Sequence, residues 1–243
     1  MTIADYPVVG YDDIAWLTEE QMIEVDRVMM EDLQIGLIQM MENAGRNLAQ
    51  LVLDRFNPRT VTVLAGSGGN GGGGLVAARH LANRGVAVSV TLGKEASEFS
   101  GVPAHQKGIL QRMGVDISSE PRTADIAIDA LIGYSLKGAP RGRIGELIEQ
   151  ASGIGERIVS LDTPSGINVT DGSVPGAAIV ADATLTLALP KIGLRSVPGV
   201  GELYLGDISV PSSVYSRMEV APAPDFRRGS LLRLNPGAET ESQ

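Results

Sequence analysis

From residue 60 onward, short apolar segments rich in β-branched residues alternate with longer segments of helical periodicity. This alternation constrains the fold more than any other feature. The strand-like segments cover residues 61–65, 86–92, 124–133, 157–166, 183–190 and 202–210. Strands that are apolar along their length and separated by helices are typical of a parallel sheet covered on both faces. The sequence therefore predicts a Rossmann-like α/β fold of three layers, with a mostly parallel central sheet and helices on both faces.

An N-terminal pair of helices is predicted ahead of the first of these strands. Thr18 and Gln21 have the spacing of a capping box, and apolar residues follow at helical intervals. A second helical segment begins after Gly36. Residues 1–218 read as one domain without a change of composition. Residues 219–243 are rich in Pro, Gly, Ser and Glu and show little periodicity, so a partly disordered tail is expected there.

Composition excludes several classes of function. The 243 residues include no cysteine and only two histidines, which argues against disulfides, thiol nucleophiles and zinc or iron–sulfur sites. No apolar run reaches the ~18 residues of a membrane span, and the N-terminus lacks a secretory signal, so a cytoplasmic protein that does not engage membranes is expected. Nine of the 29 acidic residues fall among residues 1–35, and no basic stripe follows that could track a nucleic acid backbone.

A glycine-rich segment joins the first of these strands to the following helix. It reads GSGGNGGGG over residues 66–74, and Gly66, Gly68 and Gly71 match the dinucleotide fingerprint in its strand–turn–helix context. Backbone without side chains lets a phosphate approach free N–H groups at a helix N-terminus. The second strand, however, ends in the residues TLGK at 91–94, where a dehydrogenase would carry an acid for the ribose. An ordinary NAD-dependent dehydrogenase is therefore a weak alternative.

Two carboxylates follow apolar strands. Asp129 comes after IAI, Asp162 comes after IVSL, and each precedes a loop that contains glycine. In open α/β sheets the ligand crevice lies outside the carboxyl ends of the strands, so both side chains are expected near one site. Either residue alone could simply cap a turn. Lys137, Arg141 and Arg143 add cations suited to phosphate.

Five segments occur in a characteristic order within residues 18–210: MENAGRNLAQ, LAGSGGNGGGGLVAARHL, IDALIGYSLKGAPRG, LDTPSG and ADATLTLALPKIGL. With these segments the chain specifically resembles the YjeF N-terminal family of NAD(P)H-hydrate epimerases. The resemblance implies interconversion of the R and S epimers of hydrated NADH and NADPH. It also implies a homodimer and, for the pathway's other step, a separate NAD(P)H-hydrate dehydratase.

The resemblance further implies a set of site residues. Asp162 would touch the reacting end of the substrate and act in catalysis, since epimerising a carbinolamine needs proton transfer at the ring hydroxyl. A potassium ion would be held by Asn70, Asp129 and Ser165. The nucleotide would lie along two loops, whose residues are Gly69, Asn70, Gly71, Gly72 and Gly73, and Gly133, Tyr134, Ser135, Leu136, Lys137, Gly138 and Ala139.

The glycine loop departs from the family pattern at two positions. The family usually reads Asn-Asn-Gly-Gly-Asp-Gly, whereas residues 69–74 read GNGGGG, so Gly69 and Gly73 replace an amide and a carboxylate. This departure motivates an alternative from another class. In it, the chain is a catalytically silent family member that binds a nucleotide or a protein partner through the same crevice.

Overall fold

The apolar segments between residues 60 and 206 form the centre of one nine-stranded sheet in the computed structural model, which describes residues 5–236. The strands are β1 Val8–Gly10, β2 Thr60–Ala65, β3 Ala87–Leu92, β4 Asp116–Ser118, β5 Ala124–Ala130, β6 Gly155–Leu161, β7 Ala183–Leu187, β8 Glu202–Gly206 and β9 Leu231–Asn235. All neighbouring pairs are parallel except β8 and β9. The predicted α/β class and mostly parallel sheet are confirmed.

The strand order places a crevice at the middle of the sheet. The order is β1-β9-β8-β7-β6-β5-β2-β3-β4, so the chain runs outward from β2 through β3 to β4 and returns to β5 on the other side of β2. Ligands in open α/β sheets bind at such a reversal, beyond the carboxyl ends of the strands. The glycine loop after β2 and the loop after β5 therefore meet where a ligand crevice is expected.

Helices cover both faces of the sheet, as predicted. They are α1 Glu19–Arg27, α2 Leu37–Phe56, α3 Gly69–Ala82, α4 Gly101–Arg112, α5 Gly142–Ile154 and α6 Ser212–Arg217. The alternation of side chains along β2 divides the core, because Val63 packs with residues of α2, α3 and α4 whereas Leu64 packs with α5. Within residues 5–236, no helix is both long enough and apolar enough to cross a membrane.

The predicted N-terminal helical pair is confirmed in α1 and α2. The capping box forms at α1, where the Thr18 hydroxyl accepts a hydrogen bond from the Gln21 amide at 3.2 Å and the Gln21 side chain accepts from the Thr18 amide at 3.0 Å. After α1 the chain widens into a π-helical turn over Val28–Asp32. This turn and α1 pack in a second apolar cluster with residues of β8, β9 and α6.

Within the segment 219–243, where a partly disordered tail is predicted, five residues form a strand of the sheet. Leu231–Asn235 forms β9, which lies between β1 and β8, and its three leucines are buried. The domain therefore extends past residue 218. The segment is too short for periodicity to distinguish it from a loop, and its partners come from distant parts of the chain. Residues 237–243 lie outside the described part of the chain.

Candidate functional site

A cleft of about 640 Å³ opens at the carboxyl ends of β2, β5 and β6. It includes seven of the residues that the sequence assigns to substrate or catalysis, namely Gly69, Asn70, Gly73, Gly133, Tyr134, Ser135 and Asp162. Apolar side chains of α2, among them Leu37, Met40 and Met41, form one wall. The arrangement is that of a small-molecule site, in which an apolar wall faces a few convergent polar groups.

The glycine segment is helical sooner than the sequence suggests. The loop was predicted to run to residue 74, but α3 begins at Gly69, with Gly68 as its N-cap and no side chain capping it. The first amides of an α-helix have no intrahelical partner, so these N–H groups are available to an anion at the mouth of the cleft. Gly71 sits against the backbone of Gly66, where an added Cβ would lie 1.7 Å from the carbonyl oxygen. Only glycine permits that approach.

Asp162 lies at the floor of the cleft, directly after β6. Its backbone adopts φ of +65°, in the left-handed region that aspartate tolerates better than most residues, and its amide donates to the Leu185 carbonyl at 2.7 Å. One carboxylate oxygen accepts a hydrogen bond from the Tyr134 amide at 3.0 Å. The other forms an ion pair with Lys191, and both side chains are buried. Asp162 is therefore held from two sides in a single orientation.

Lys191 is a functional residue that the sequence analysis missed. Its ammonium also donates to the Thr186 hydroxyl at 3.2 Å and to the Leu187 carbonyl at 2.9 Å, so its three N–H donors are all satisfied. The residue lies within the segment ADATLTLALPKIGL. A lysine directly after a buried strand and a proline is the signal that could have identified it, because such a charge needs a buried partner.

Asp26 is a second residue that sequence reasoning missed. This α1 side chain borders the cleft, and its Oδ2 accepts a hydrogen bond from the Tyr134 hydroxyl at 2.6 Å. Burial raises the pKa of Asp26, the Tyr134 hydrogen bond opposes that shift, and the charge of Asp162 adds to it. In the sequence Asp26 is one of nine acids among residues 1–35, so nothing local distinguishes it.

Asn70 and Gly133 come together beside Asp162. A methyl group added to Gly133 would lie 3.1 Å from Oδ2 of Asp162 and 3.3 Å from Cβ of Asn70, so Gly133 leaves the space between them open. Both polar atoms of the Asn70 side chain are buried and have no hydrogen-bond partner. Buried amides are nearly always paired in folded proteins, so an unpaired one at a cleft indicates a group that a ligand completes.

Asp129 and Ser165 lie behind the cleft and do not line it. Both are fully buried, and the Asp129 carboxylate accepts hydrogen bonds from the Ser165 amide and hydroxyl, the Ser160 hydroxyl and the Leu131 amide at 2.6–3.2 Å. Burial raises the pKa of Asp129, and these hydrogen bonds oppose the shift. No basic side chain among residues 5–236 pairs with it.

Part of the predicted substrate loop lies away from the cleft. Leu136 packs inward, Lys137 and Gly138 are exposed, and Ala139 is partly buried outside the lining residues. Gly71 and Gly72 are likewise buried in helix packing and do not face the opening. The predicted loop residues that do line the cleft are Gly133, Tyr134 and Ser135, which follow β5, and Gly69, Asn70 and Gly73 of α3.

A second cavity of about 540 Å³ adjoins the cleft at the ends of β3 and β4. The two share Lys94 and Ile144 as lining residues, so they are neighbouring depressions. Lys107, Arg141 and Arg143 also line the second cavity, opposite Glu95 and Glu98. The surplus of positive charge suits an anionic ligand in a chain whose net charge is −9.

Comparison with known proteins places this geometry in context. Residues 37–193 match the family described as YjeF-related protein N-terminus. The NAD(P)H-hydrate epimerase of Dehalogenimonas lykanthroporepellens is 50% identical over 231 residues, which cover 90% of this chain and 92% of the relative. The NAD(P)H-hydrate epimerase of Truepera radiovictrix is 40% identical over 195 residues, covering 76% and 87%.

Two further comparisons concern the fold and the organisation of longer relatives. The crystal structure of a yeast protein superposes with a TM-score of 0.78 at 26% identity, covering 90% of this chain and 99% of that one. A bifunctional NAD(P)H-hydrate repair enzyme of Thermofilum pendens is 35% identical over 198 residues, and the match covers 38% of its length. By these matches over most of its length, the chain belongs to the YjeF-related N-terminal family.

Proposed function

We propose that this protein is an NAD(P)H-hydrate epimerase, which interconverts the R and S epimers of hydrated NADH and NADPH. The names of relatives up to 50% identical support this activity. The observation that carries it in this chain is the buried Asp162 carboxylate, fixed by Lys191 and the Tyr134 amide at the floor of a cleft. Near the end of β3, where a dehydrogenase carries an acid that binds the ribose, the residue that lines the cleft is Lys94.

Proton transfer is the main chemical step that the protein must supply in this reaction. The substrate carries a hydroxyl on the carbon beside the ring nitrogen, whose lone pair helps to expel that hydroxyl, so no strong nucleophile is required. Asp162 can exchange a proton at the departing or returning oxygen. The Lys191 ion pair orients Asp162, and the apolar wall formed by Leu37, Met40 and Met41 keeps bulk water from the ring.

We further propose that Asn70, Asp129 and Ser165 hold a potassium ion beside the substrate. An amide, a hydroxyl and a single carboxylate are oxygen donors suited to a hard monovalent cation. Two observations support the fit: the unpaired buried amide of Asn70 and the buried Asp129 carboxylate, which has no ion pair among residues 5–236. When bound, such an ion supplies a fixed positive charge near the negatively charged dinucleotide.

The homodimer is a proposal carried by the family resemblance, and the cytoplasmic location is a proposal carried by the sequence. The linked dehydratase has additional support, since several relatives are named as bifunctional repair enzymes. Exposed Ile23, Met30 and Ile38 on the N-terminal helices are positions at which a dimer can be tested by substitution and sedimentation.

Supplying the purified protein with the R epimer and following the appearance of the S epimer, with and without potassium, tests the proposed function. We expect acceleration over the spontaneous rate, and a loss of roughly 10²–10⁴-fold in Asp162→Asn, which keeps the shape but cannot exchange the proton. Asn70→Ala tests the ion, because its side chain has no partner to lose, and the potassium response should disappear. No acceleration by the natural chain would favour the silent binding module instead.

A further inference from the structure

A second carboxyl group borders the same cleft as Asp162. Asp26 reaches it from α1, whereas Asp162 lies at the end of β6. Only Oδ2 of Asp26 is engaged, by the Tyr134 hydroxyl at 2.6 Å, and Oδ1 has no hydrogen-bond partner among the described residues. One carboxylate oxygen is therefore available to a ligand in the cleft.

Tyr134 connects the two carboxyl groups through opposite ends of one residue. Its backbone amide donates to Asp162 at 3.0 Å, and its hydroxyl donates to Asp26 at 2.6 Å. Tyr134 therefore spans from one carboxyl group to the other, and all three residues line the same cleft. Met22, Leu37 and Met40 line the same cleft, so part of its wall is apolar.

We propose that Asp26 is a second catalytic residue, which exchanges a proton with the substrate hydroxyl on the ring face opposite Asp162. This inference rests on the proposed function and deepens it. Epimerisation inverts one carbon, so the hydroxyl must leave from one face and water must return to the other. Two carboxyls on opposite sides of the ring supply a proton donor for the first event and an acceptor for the second.

The steps balance without any additional reactant. Protonated Asp26 gives its proton to the hydroxyl, the carbon–oxygen bond breaks, and water leaves as the lone pair of the ring nitrogen forms a carbon–nitrogen double bond. Water then adds to the same carbon from the other face, and Asp162 takes one of its protons. The reverse direction begins with the proton on Asp162, so the active enzyme carries one proton shared by the pair in both directions.

The surroundings of the two groups support this division. Asp26 faces Tyr134 from the loop after β5, Asp162 from β6 and Lys191 from the segment after β7. Arg27, next to Asp26 on the same segment, is engaged with Glu24, Glu31 and Asp32 on the exposed side. Burial raises the pKa of Asp26, whereas Asp162 has the ammonium of Lys191 as its direct partner. Two carboxyl groups in such different environments can take different roles, one as the proton donor and the other as the proton acceptor.

The test compares Asp26→Asn with the natural chain in R-to-S epimerisation across pH. We expect kcat to fall roughly 10²–10⁴-fold with little change in the affinity for NADP+, which lacks the reacting hydroxyl. In the natural chain, kcat should fall at high pH as Asp26 loses its proton, and the variant should lack this limb. Glu31→Gln, which removes an exposed carboxylate from the same N-terminal segment, is the matched control and should behave as the natural chain.

Asp26→Glu keeps a carboxyl group and should retain measurable activity together with the high-pH limb, which separates chemistry from folding if Asp26→Asn proves unstable. An Asp26→Asn variant that folds, binds NADP+ and keeps the natural kcat and pH profile would overturn this inference while leaving the proposed function intact. Absence of epimerisation by the natural chain would instead overturn the proposed function itself.

Discussion

At the scale of single residues, the ion pair of Asp162 and Lys191 is the contact on which the site depends most. Both groups are buried, and the lysine satisfies its remaining donors on Thr186 and Leu187. Removing one partner of a buried pair leaves an uncompensated charge in a medium that solvates it poorly. The pair therefore contributes to stability and to the orientation of the carboxylate that we propose to be catalytic.

Lys191→Met should lower the free energy of unfolding by roughly 3–5 kcal/mol, because it strands the Asp162 charge. Urea denaturation at neutral pH measures this, and the double variant Lys191→Met/Asp162→Asn provides the control. We expect the double variant to recover much of the lost stability, since it no longer buries a charge. A double variant no more stable than Lys191→Met would show that the lysine matters for its packing and not for its charge.

The two glycines that depart from the family pattern have different surroundings. A Cβ at Gly69 would have Met41 as its nearest neighbour at 3.9 Å, whereas a Cβ at Gly73 would lie 2.8 Å from Cδ2 of Leu161. Neither glycine has a positive φ, so backbone strain is not the obstacle at either position. The two positions therefore differ only in the space that is available to a side chain.

Gly69→Asn should leave the free energy of unfolding unchanged within about 0.5 kcal/mol. Gly73→Asp should lower it by about 1 kcal/mol or more, because overpacking forces Leu161 to move. Leu161 precedes Asp162, so Gly73→Asp should also reduce kcat. Thermal unfolding and epimerisation assays on both variants check this pair. Equal stability of the two variants would show that Leu161 adjusts without cost.

At the scale of elements, the sequence predicts the central strands and the main helices but not the sheet edges. Hydrophobic runs identify β2, β3, β5, β6, β7 and β8 because each is buried on both faces. The three-residue strands β1 and β4 are too short to show periodicity. The strand β9 follows a segment rich in proline and glycine, and it is stabilised by pairing with β1 and β8. Pairing between distant segments cannot be inferred from local pattern.

Removing residues 219–243 should abolish cooperative folding, although the sequence alone suggests a dispensable tail. The truncation deletes three buried leucines, each worth roughly 1.5–3 kcal/mol of burial, and leaves the β8 edge unpaired. A chain ending at Pro236 keeps β9 and is the matched control. Circular dichroism during thermal unfolding distinguishes them. A sharp transition in the chain ending at Met218 would contradict this account.

At the scale of the whole molecule, the site is assembled from segments far apart in the chain. Asp26, Asn70, Tyr134, Asp162 and Lys191 come from five different segments, and only the topology of the sheet brings them together. The family resemblance predicted Asn70 and Tyr134, and the position of Asp162 after an apolar strand predicted that residue. The other two could not be predicted, since their role depends on what lies opposite them in the folded molecule.

The position of Lys94 between the two neighbouring cavities gives a prediction about substrate affinity. A dinucleotide that places its nicotinamide near Asp162 can extend its second nucleotide past Lys94 into the second cavity. Lys94→Gln should therefore raise KM several-fold at unchanged kcat, with the difference shrinking at high salt. Arg112→Gln, an exposed substitution on α4 outside both cavities, is the control. A lowered kcat with unchanged KM would place the second nucleotide elsewhere.

The pairing of β1 with β9 also affects the order in which the molecule can be completed during synthesis. Among the described residues, β1 is the first strand to leave the ribosome, and its partner β9 is the last. A nascent chain can form the β2–β5 core early, but its N-terminal strand must wait for more than 200 residues of translation. The α1 helix, which carries Asp26, follows β1 in the chain, and β1 stays unpaired until β9 has been made. We therefore expect catalytic competence to appear only after β9 has been translated.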